Sequence, residues 1–372
     1  MKTVLFVTWD GGGNVPPIVL MAREVVRRGD SARVIGHPAQ RAAIEEAGLD
    51  FEEYRQAKRW SVLAPKAGLR ADLEYAAVFS DRGMGRDVID SLRRRPADRV
   101  VVDGLLIGVL GSLDRADIPY TILIHTLRSV MFGALVSGPL GMIMRLRGFR
   151  PRELYAAAEA EVVATEASLD PGSGRLPSSI RYTGPILPPI VAAAHASTPP
   201  TVLVSLSTTF VAGQVDLLQR VIDTLAPLDV QAVVTTGPAI DTLALRASEN
   251  TLVHAFLPHA DVMSRASLVV GHGGHATTML ALAHGIPLLI IPTNPSFDQP
   301  AVARMITSHG LGLNLPKRAS AAQIHAAIIE LLSNPAYSAA AAQLGAQMRS
   351  RSSVHDAVDI LTSSPGAEHV LP

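Results

Sequence analysis

Cysteine is missing from this chain of 372 residues. Disulfides, thiolate metal sites and a cysteine nucleophile are thereby excluded, and a reducing, cytoplasmic compartment fits. An excess of one charge is missing too: Lys+Arg and Asp+Glu each total 33. Residues 1–190 carry 25 basic and 22 acidic side chains and the remainder 8 and 11, a split of +3 and −3. A general nucleic-acid binder would show a basic face or stripe instead. Long apolar runs are absent as well. The longest uncharged apolar stretch, Val130 to Met144, spans 15 residues and is broken by Gly133, Gly138, Pro139 and Gly141, whereas a spanning helix needs about 20. It reads as a buried or site-lining segment, or as a surface that meets a greasy ligand or a membrane. The run Val4-Leu5-Phe6-Val7 after Met1-Lys2 is too short for a signal segment, and no small-residue cleavage site follows.

What is present is 48% hydrophobic and 18% charged, enough for sizeable cores. At about 150 residues per domain the length predicts two domains, or three. Val4–Val7, the glycine-rich turn Asp10-Gly11-Gly12-Gly13-Asn14 and the helically spaced Ile18, Leu20, Met21, Val25 and Val26 read as strand, turn and helix. Strands follow at Ala32–Ile35, at Val100–Val102 ending on Asp103, and at Tyr120–Ile124 ending on His125. Strands alternating with helices predict α/β architecture with parallel sheets. Residues 186–200 are rich in proline and alanine and read as a linker. The pattern then restarts at Val202–Leu206. The expected division is 1–188, a linker at 189–200, 201–350, and a tail at 351–372 packing back toward the first domain. Helices are expected at about 320–332 and 338–361.

The most informative turn is Gly271-His272-Gly273-Gly274-His275-Ala276-Thr277-Thr278, between the strand Leu268–Val270 and a helix. Glycines there let a ligand approach the backbone. The following helix start presents N–H groups and the positive end of a dipole, which suits phosphate. Thr277, Thr278 and His272 add donors. A zinc reading of His272 and His275 lacks a further ligand within the turn.

Gly271-His272-Gly273-Gly274 with Thr277, then Gly285-Ile286-Pro287, Pro292 and Asp298-Gln299, resembles the donor-site signature of family 1 glycosyltransferases. Gly13-Asn14-Val15-Pro16-Pro17 resembles that family's opening turn. The resemblance implies a GT-B fold, two facing Rossmann-like domains with parallel sheets, acceptor in the N-terminal half and nucleotide-sugar in the C-terminal half. It implies pyrophosphate contacts from His272, Gly273, Gly274 and Thr277, with Thr208 reaching the phosphates. Asp298 and Gln299 would bind hydroxyls of the sugar, and Phe256, Pro258 and His259 would hold the nucleobase. No metal and no cofactor are implied, the nucleotide-sugar being a co-substrate, and transfer would be inverting.

Two positions depart from the pattern. Leu280 stands where many UDP-sugar enzymes of the family hold the ribose with a Glu, which favours a dTDP-deoxysugar over a UDP-sugar. Asn14 stands where the family's basic His belongs, and an amide cannot take a proton at neutral pH. Asp103 matches the partner carboxylate. Several routes stay open: Asp103 or Asp10 acting as base, His125 moving in, an acceptor that needs little deprotonation, or a non-catalytic protein. A nucleotide-sugar epimerase of the same architecture is a further alternative. Residues 55–90 and 126–150 fall where this fold places acceptor loops, and Met131, Phe132 and Met142 are the expected contacts to a lipophilic aglycone or glycolipid. Methionines adapt to irregular apolar shapes.

Overall fold

A computed structural model describes residues 1–64, 68–190, 198–206, 211–295 and 297–362. The middle of the expected linker and Thr208 lie outside the described residues. The chain divides into two compact units, the first of 1–61, 71–188 and 352–372, the second of 62–70 and 189–351.

The first unit runs β1 (Thr3–Val7), α1 (Val15–Arg27), β2 (Ser31–Gly36), α2 (Arg41–Glu46), β3 (Asp50–Glu53), α3 (Gly68–Phe79), α4 (Arg82–Arg94), β4 (Arg99–Asp103), α5 (Ile107–Arg115), β5 (Thr121–Ile124), α6 (Arg128–Val136), α7 (Pro139–Leu146), α8 (Pro151–Ala156), β6 (Ala160–Val163) and β7 (Ile180–Tyr182). The second runs β8 (Thr201–Ser205), α9 (Gln214–Leu225), β9 (Gln231–Thr235), β10 (Thr251–His254), α10 (His259–Met263), β11 (Ala266–Gly271), α11 (His275–His284), β12 (Leu288–Ile290), α12 (Gln299–Ser308), β13 (Gly312–Asn314), α13 (Ala321–Ser333) and α14 (Pro335–Arg349). The last helix, α15 (Ser353–Thr362), belongs to the first unit.

Seven strands form the first sheet in the order β3-β2-β1-β4-β5-β6-β7, and six form the second in the order β10-β9-β8-β11-β12-β13. Every strand pair is parallel. Parallel strands are covered on both faces, which is why β1 reads as an unbroken apolar run. Its side chains alternate between two cores. Leu5 and Val7 pack with Val88 and Leu110 on one face, while Val4 and Phe6 pack with Ile18, Met21 and Val25 on the other. Each such fully buried side chain contributes roughly 1.5–3 kcal/mol.

The order reverses beside β1 in one sheet and beside β8 in the other. In open α/β sheets ligands bind outside the carboxyl ends of the strands at such reversals. The turns singled out by sequence, after β1, β4, β5 and β11, all lie at those ends.

The single helix expected at 338–361 is two helices. Arg349 ends α14, Ser353 starts α15, and residues 350–352 separate the second unit's helix from the first unit's. A continuous apolar period does not reveal that break, because each half keeps its own buried stripe. Ala357, Val358 and Leu361 of α15 bury against the α1 face of the first sheet. Arg28 pairs with Asp359 and donates to the His355 carbonyl.

No single helix among the described residues is long and apolar enough to cross a membrane. The pair α6 and α7 passes that test together by length and composition, but the two are bent by 47°.

Candidate functional site

In the first unit, three strand ends, those of β1, β4 and β5, meet on one carboxylate. Asp103, the last residue of β4, has no solvent exposure. Its Oδ2 accepts from Trp9 Nε1 at 3.1 Å and from Asn14 Nδ2 at 2.9 Å, and its Oδ1 accepts from the Leu105 N–H at 3.0 Å. His125, one residue past β5, places Nδ1 3.5 Å from the same Oδ2. Asn14 precedes α1, whose opening prolines suit a helix start. Its Nδ2 also reaches Thr8 Oγ1 and the Trp9 carbonyl, at 3.2 and 3.0 Å.

A carboxylate only accepts, so the contact with Asp103 fixes the Asn14 amide with Nδ2 inward. Asn14 Oδ1 is then buried with no hydrogen-bond partner among the described residues. Asp10 sits in the turn itself. Its N–H donates to His37 Nδ1 at 3.2 Å, and its carbonyl accepts from Trp60 Nε1 at 2.7 Å.

Trp9 was not singled out by sequence, yet it links the carboxylate to an aromatic wall. Its ring lies 5.1 Å from Phe79 and 5.8 Å from Trp60, and Trp60 lies 5.1 Å from Tyr75. A bulky aromatic two residues past the strand, before a glycine run, was the available signal. The three expected acceptor contacts do not share one environment. Met131 is buried in the first unit's core, where its sulfur accepts from Tyr155 Oη, Phe132 is half-buried against Tyr155, and Met142 is 55% exposed. Met131 is therefore core packing and not an accessible contact. Position in the sequence places all three in one apolar stretch, but the helical turn faces them differently.

In the second unit, β11 runs into Gly271 and α11 starts at His275. Gly273 adopts φ +88° with a Cβ position only 3.0 Å from Ile290 and 3.1 Å from the Gln299 carbonyl, so only glycine fits. A Cβ on Gly274 would meet His272 Nε2 at 2.6 Å; the imidazole lies directly over this bare backbone. The first-turn N–H groups of a helix have no partner within it, and those of α11 follow this turn.

Among the described residues, His272 Nδ1 is buried without a hydrogen-bond partner. Desolvation holds its pKa down to about 4, the Ser205 backbone opposing and His259 adding slightly. The imidazole is therefore neutral at neutral pH, a donor through one ring nitrogen and not a resident cation. Thr277 lies half-buried on the first turn of α11, and Leu280 half-buried one turn on.

Phe256 is 76% exposed in the loop after β10, beside Pro258. His259 opens α10 and pairs Nε2 with Thr235 Oγ1 at 3.2 Å; burial lowers its pKa. Asp298 immediately precedes α12. The Gln299 side chain is tied to the loop before it. Its Oε1 accepts from the N–H groups of Thr293 and Asn294, at 2.8 and 2.9 Å, so the amide oxygen shapes the loop and only Nε2 is left for a ligand. Among the described residues no group of three or more His, Asp or Glu side chains is arranged to hold a metal ion.

Two parallel α/β units with switch points beside β1 and β8 define the GT-B class of architecture. A family model described as the erythromycin biosynthesis protein CIII-like C-terminal domain matches residues 219–363. The 4'-demethylrebeccamycin synthase of Lentzea aerocolonigenes is 26% identical over 96% of this chain and 98% of its own length. Among solved structures, the glycotransferase of kitacinnamycin aligns with a TM-score of 0.78 and 21% identity, covering 96% of this chain and 97% of its own. The glycosyltransferase VinC in complex with dTDP aligns with a TM-score of 0.71 and 18% identity, covering 96% and 98%. These likenesses agree with the resemblance to family 1 glycosyltransferases of natural-product pathways, and the chain is a glycosyltransferase.

Proposed function

We propose that this enzyme moves a sugar from a nucleoside-diphosphate donor, a dTDP-deoxysugar in preference to a UDP-sugar, to a lipophilic natural-product aglycone, with inversion and without a metal. The observation that carries the donor half is the turn at 271–274. Its glycines leave the backbone bare, His272 lies across it, and α11 begins there. A diphosphate placed at that start meets N–H donors and a positive dipole end, and the charge of the leaving diphosphate is stabilised as it develops. His272, Gly273, Gly274 and Thr277 form the cradle. The exposed ring of Phe256, with Pro258 and His259, offers a face for the base. Asp298 and Gln299 Nε2 hold sugar hydroxyls. Leu280 cannot accept from ribose hydroxyls, which favours the 2′-deoxy nucleotide. VinC, a structure of the same fold, was solved with dTDP.

The acceptor half rests on the half-buried rings of Trp60 and Tyr75, backed by the buried Trp9 and Phe79 beside Asp103, which suit a planar, greasy aglycone. The relative named for rebeccamycin and the neighbour named for kitacinnamycin act in natural-product chemistry and support that choice. The test is transfer from dTDP-glucose to a panel of polyphenols and indolocarbazoles in excess EDTA. A monoglycoside with the anomeric configuration opposite to the donor's is expected. Loss of turnover in EDTA or a retained configuration would refute the corresponding part.

A further inference from the structure

The geometry points to His125 as the group that takes the proton from the attacking atom of the acceptor, with Asp103 holding it and Asn14 acting as a neutral spacer; the inference rests on the transferase reading above. Three side chains converge on Asp103 Oδ2: Trp9 at 3.1 Å, Asn14 at 2.9 Å and His125 at 3.5 Å. Asp103 itself is fully buried, and its other oxygen accepts from the Leu105 N–H, so no acceptor reaches it. Asn14 has no proton affinity at neutral pH. His37 is enclosed too, with Nδ1 already taken by the Asp10 N–H. His125 is different. Its Nδ1 is buried and turned to the carboxylate, while 15% of the side chain is exposed, so the accessible part of the ring lies away from Nδ1. With the proton on Nδ1 facing Asp103, Nε2 carries the free lone pair.

The 3.5 Å separation is longer than a formed hydrogen bond. Base–orienter contacts are commonly loose before substrate binds and tighten in the complex. Asn14 and His125 come from turns after different strands, β1 and β5, and share one carboxylate oxygen. The imidazole at the end of β5 and the amide after β1 are thus two different groups on one fixed carboxylate. In the step, the acceptor atom bonds to the anomeric carbon and the carbon–oxygen bond to the diphosphate breaks. The electron pair leaves with the diphosphate, and the acceptor's proton passes to His125 Nε2. The imidazolium so formed is stabilised by Asp103 and later gives its proton to water.

The test compares His125→Gln with wild type, using dTDP-glucose as donor and two acceptors, phenol and para-nitrophenol, at a pH where the latter is already ionised. General-base catalysis contributes about 10²–10⁴-fold. His125→Gln is expected to lose that factor with phenol and little with para-nitrophenolate, which has no proton to give, while dTDP binding is unchanged. The double variant Asn14→His/His125→Gln is expected to regain part of the phenol rate, because residue 14 also faces Asp103. Equal losses for both acceptors, or no loss for phenol, overturn the proposal. Should wild type use neither phenol, histidine-ring NMR decides: the uncharged form of the ring is expected to carry its proton on Nδ1, and the Nε2-protonated tautomer overturns it. Failure of dTDP to bind would instead strike the transferase reading.

Discussion

Around Asp103 and His272 the same element of design recurs: a polar side chain withdrawn from water and left with one unused atom. At Asn14 that atom is Oδ1, and at His272 it is Nδ1. An unmade hydrogen bond in a buried place costs roughly 1–3 kcal/mol, and a ligand that supplies the partner recovers it. For His272 the consequence is a proton linkage. Its pKa sits near 4 in the free protein because the ring is desolvated. A bound diphosphate favours the charged imidazole, so binding takes up protons between about pH 4 and the raised pKa of the complex. Calorimetry of dTDP in buffers of different ionisation enthalpy is expected to show uptake at pH 6, and His272→Gln to abolish it while weakening binding by at least tenfold. Uptake unchanged in the variant would assign the linkage elsewhere. At Leu280, Leu280→Glu is expected to shift preference from dTDP toward UDP by restoring an acceptor for the ribose hydroxyls. An unchanged ratio of the two dissociation constants would remove Leu280 from the specificity account. His272, Asp103 and Asn14 were legible because each stands in a turn of unusual composition. Trp9 and the spent oxygen of Gln299 were not, because their roles come from contacts across 94 residues and from a loop folding back on its own helix.

Elements carry the second group of expectations. The turn before α11 needs glycine at 273 for its φ of +88° and at 274 for the imidazole above it. Gly273→Ala is expected to cost about 1–3 kcal/mol in strain and to weaken dTDP binding. Gly274→Ala has an allowed backbone, φ −64°, so it should weaken binding with a smaller stability loss, as the ring is pushed aside. Urea titration beside calorimetry separates the two; equal stability losses would contradict it. At the other end of the chain, Leu361→Ala on α15 is expected to destabilise the first unit by roughly 2–5 kcal/mol, since the side chain is fully buried against the α1 face. A loss below 1 kcal/mol would mean α15 is not part of that core. Strands and helices here were readable from sequence because parallel strands leave short apolar runs and amphipathic helices leave a period. The α14–α15 break was not readable, since 350–352 carry no proline or glycine to mark it.

Across the molecule, acid stability follows from buried groups in both units. Burial holds the pKa of His37 down to about 4, as for His272. The unfolded chain protonates such a ring near ~6.5, so the stabilisation is complete above that value and is lost as pH falls to about 4. The magnitude is on the order of 3 kcal/mol for each ring. Glu24 acts at lower pH. Hydrogen bonds from Arg27, against the cost of burial and with help from Arg28, lower its pKa to about 2, so its contribution disappears between about 4.5 and 2. Apparent melting temperature is expected to fall from pH 6.5 to 4 and again below, with His37→Gln flattening the first limb. A flat profile between 6.5 and 4 would contradict the desolvation account. Architecture was the most legible level of all, because alternation of strand and helix needs only local pattern.

Whether the start of α11 is a donor site is decided by calorimetry of dTDP, UDP, GDP and ADP against the metal-free protein. dTDP is expected to bind, more tightly than UDP, and His272→Gln to lose that affinity. A protein that binds none of the four, or binds dTDP equally well without the imidazole, would contradict it.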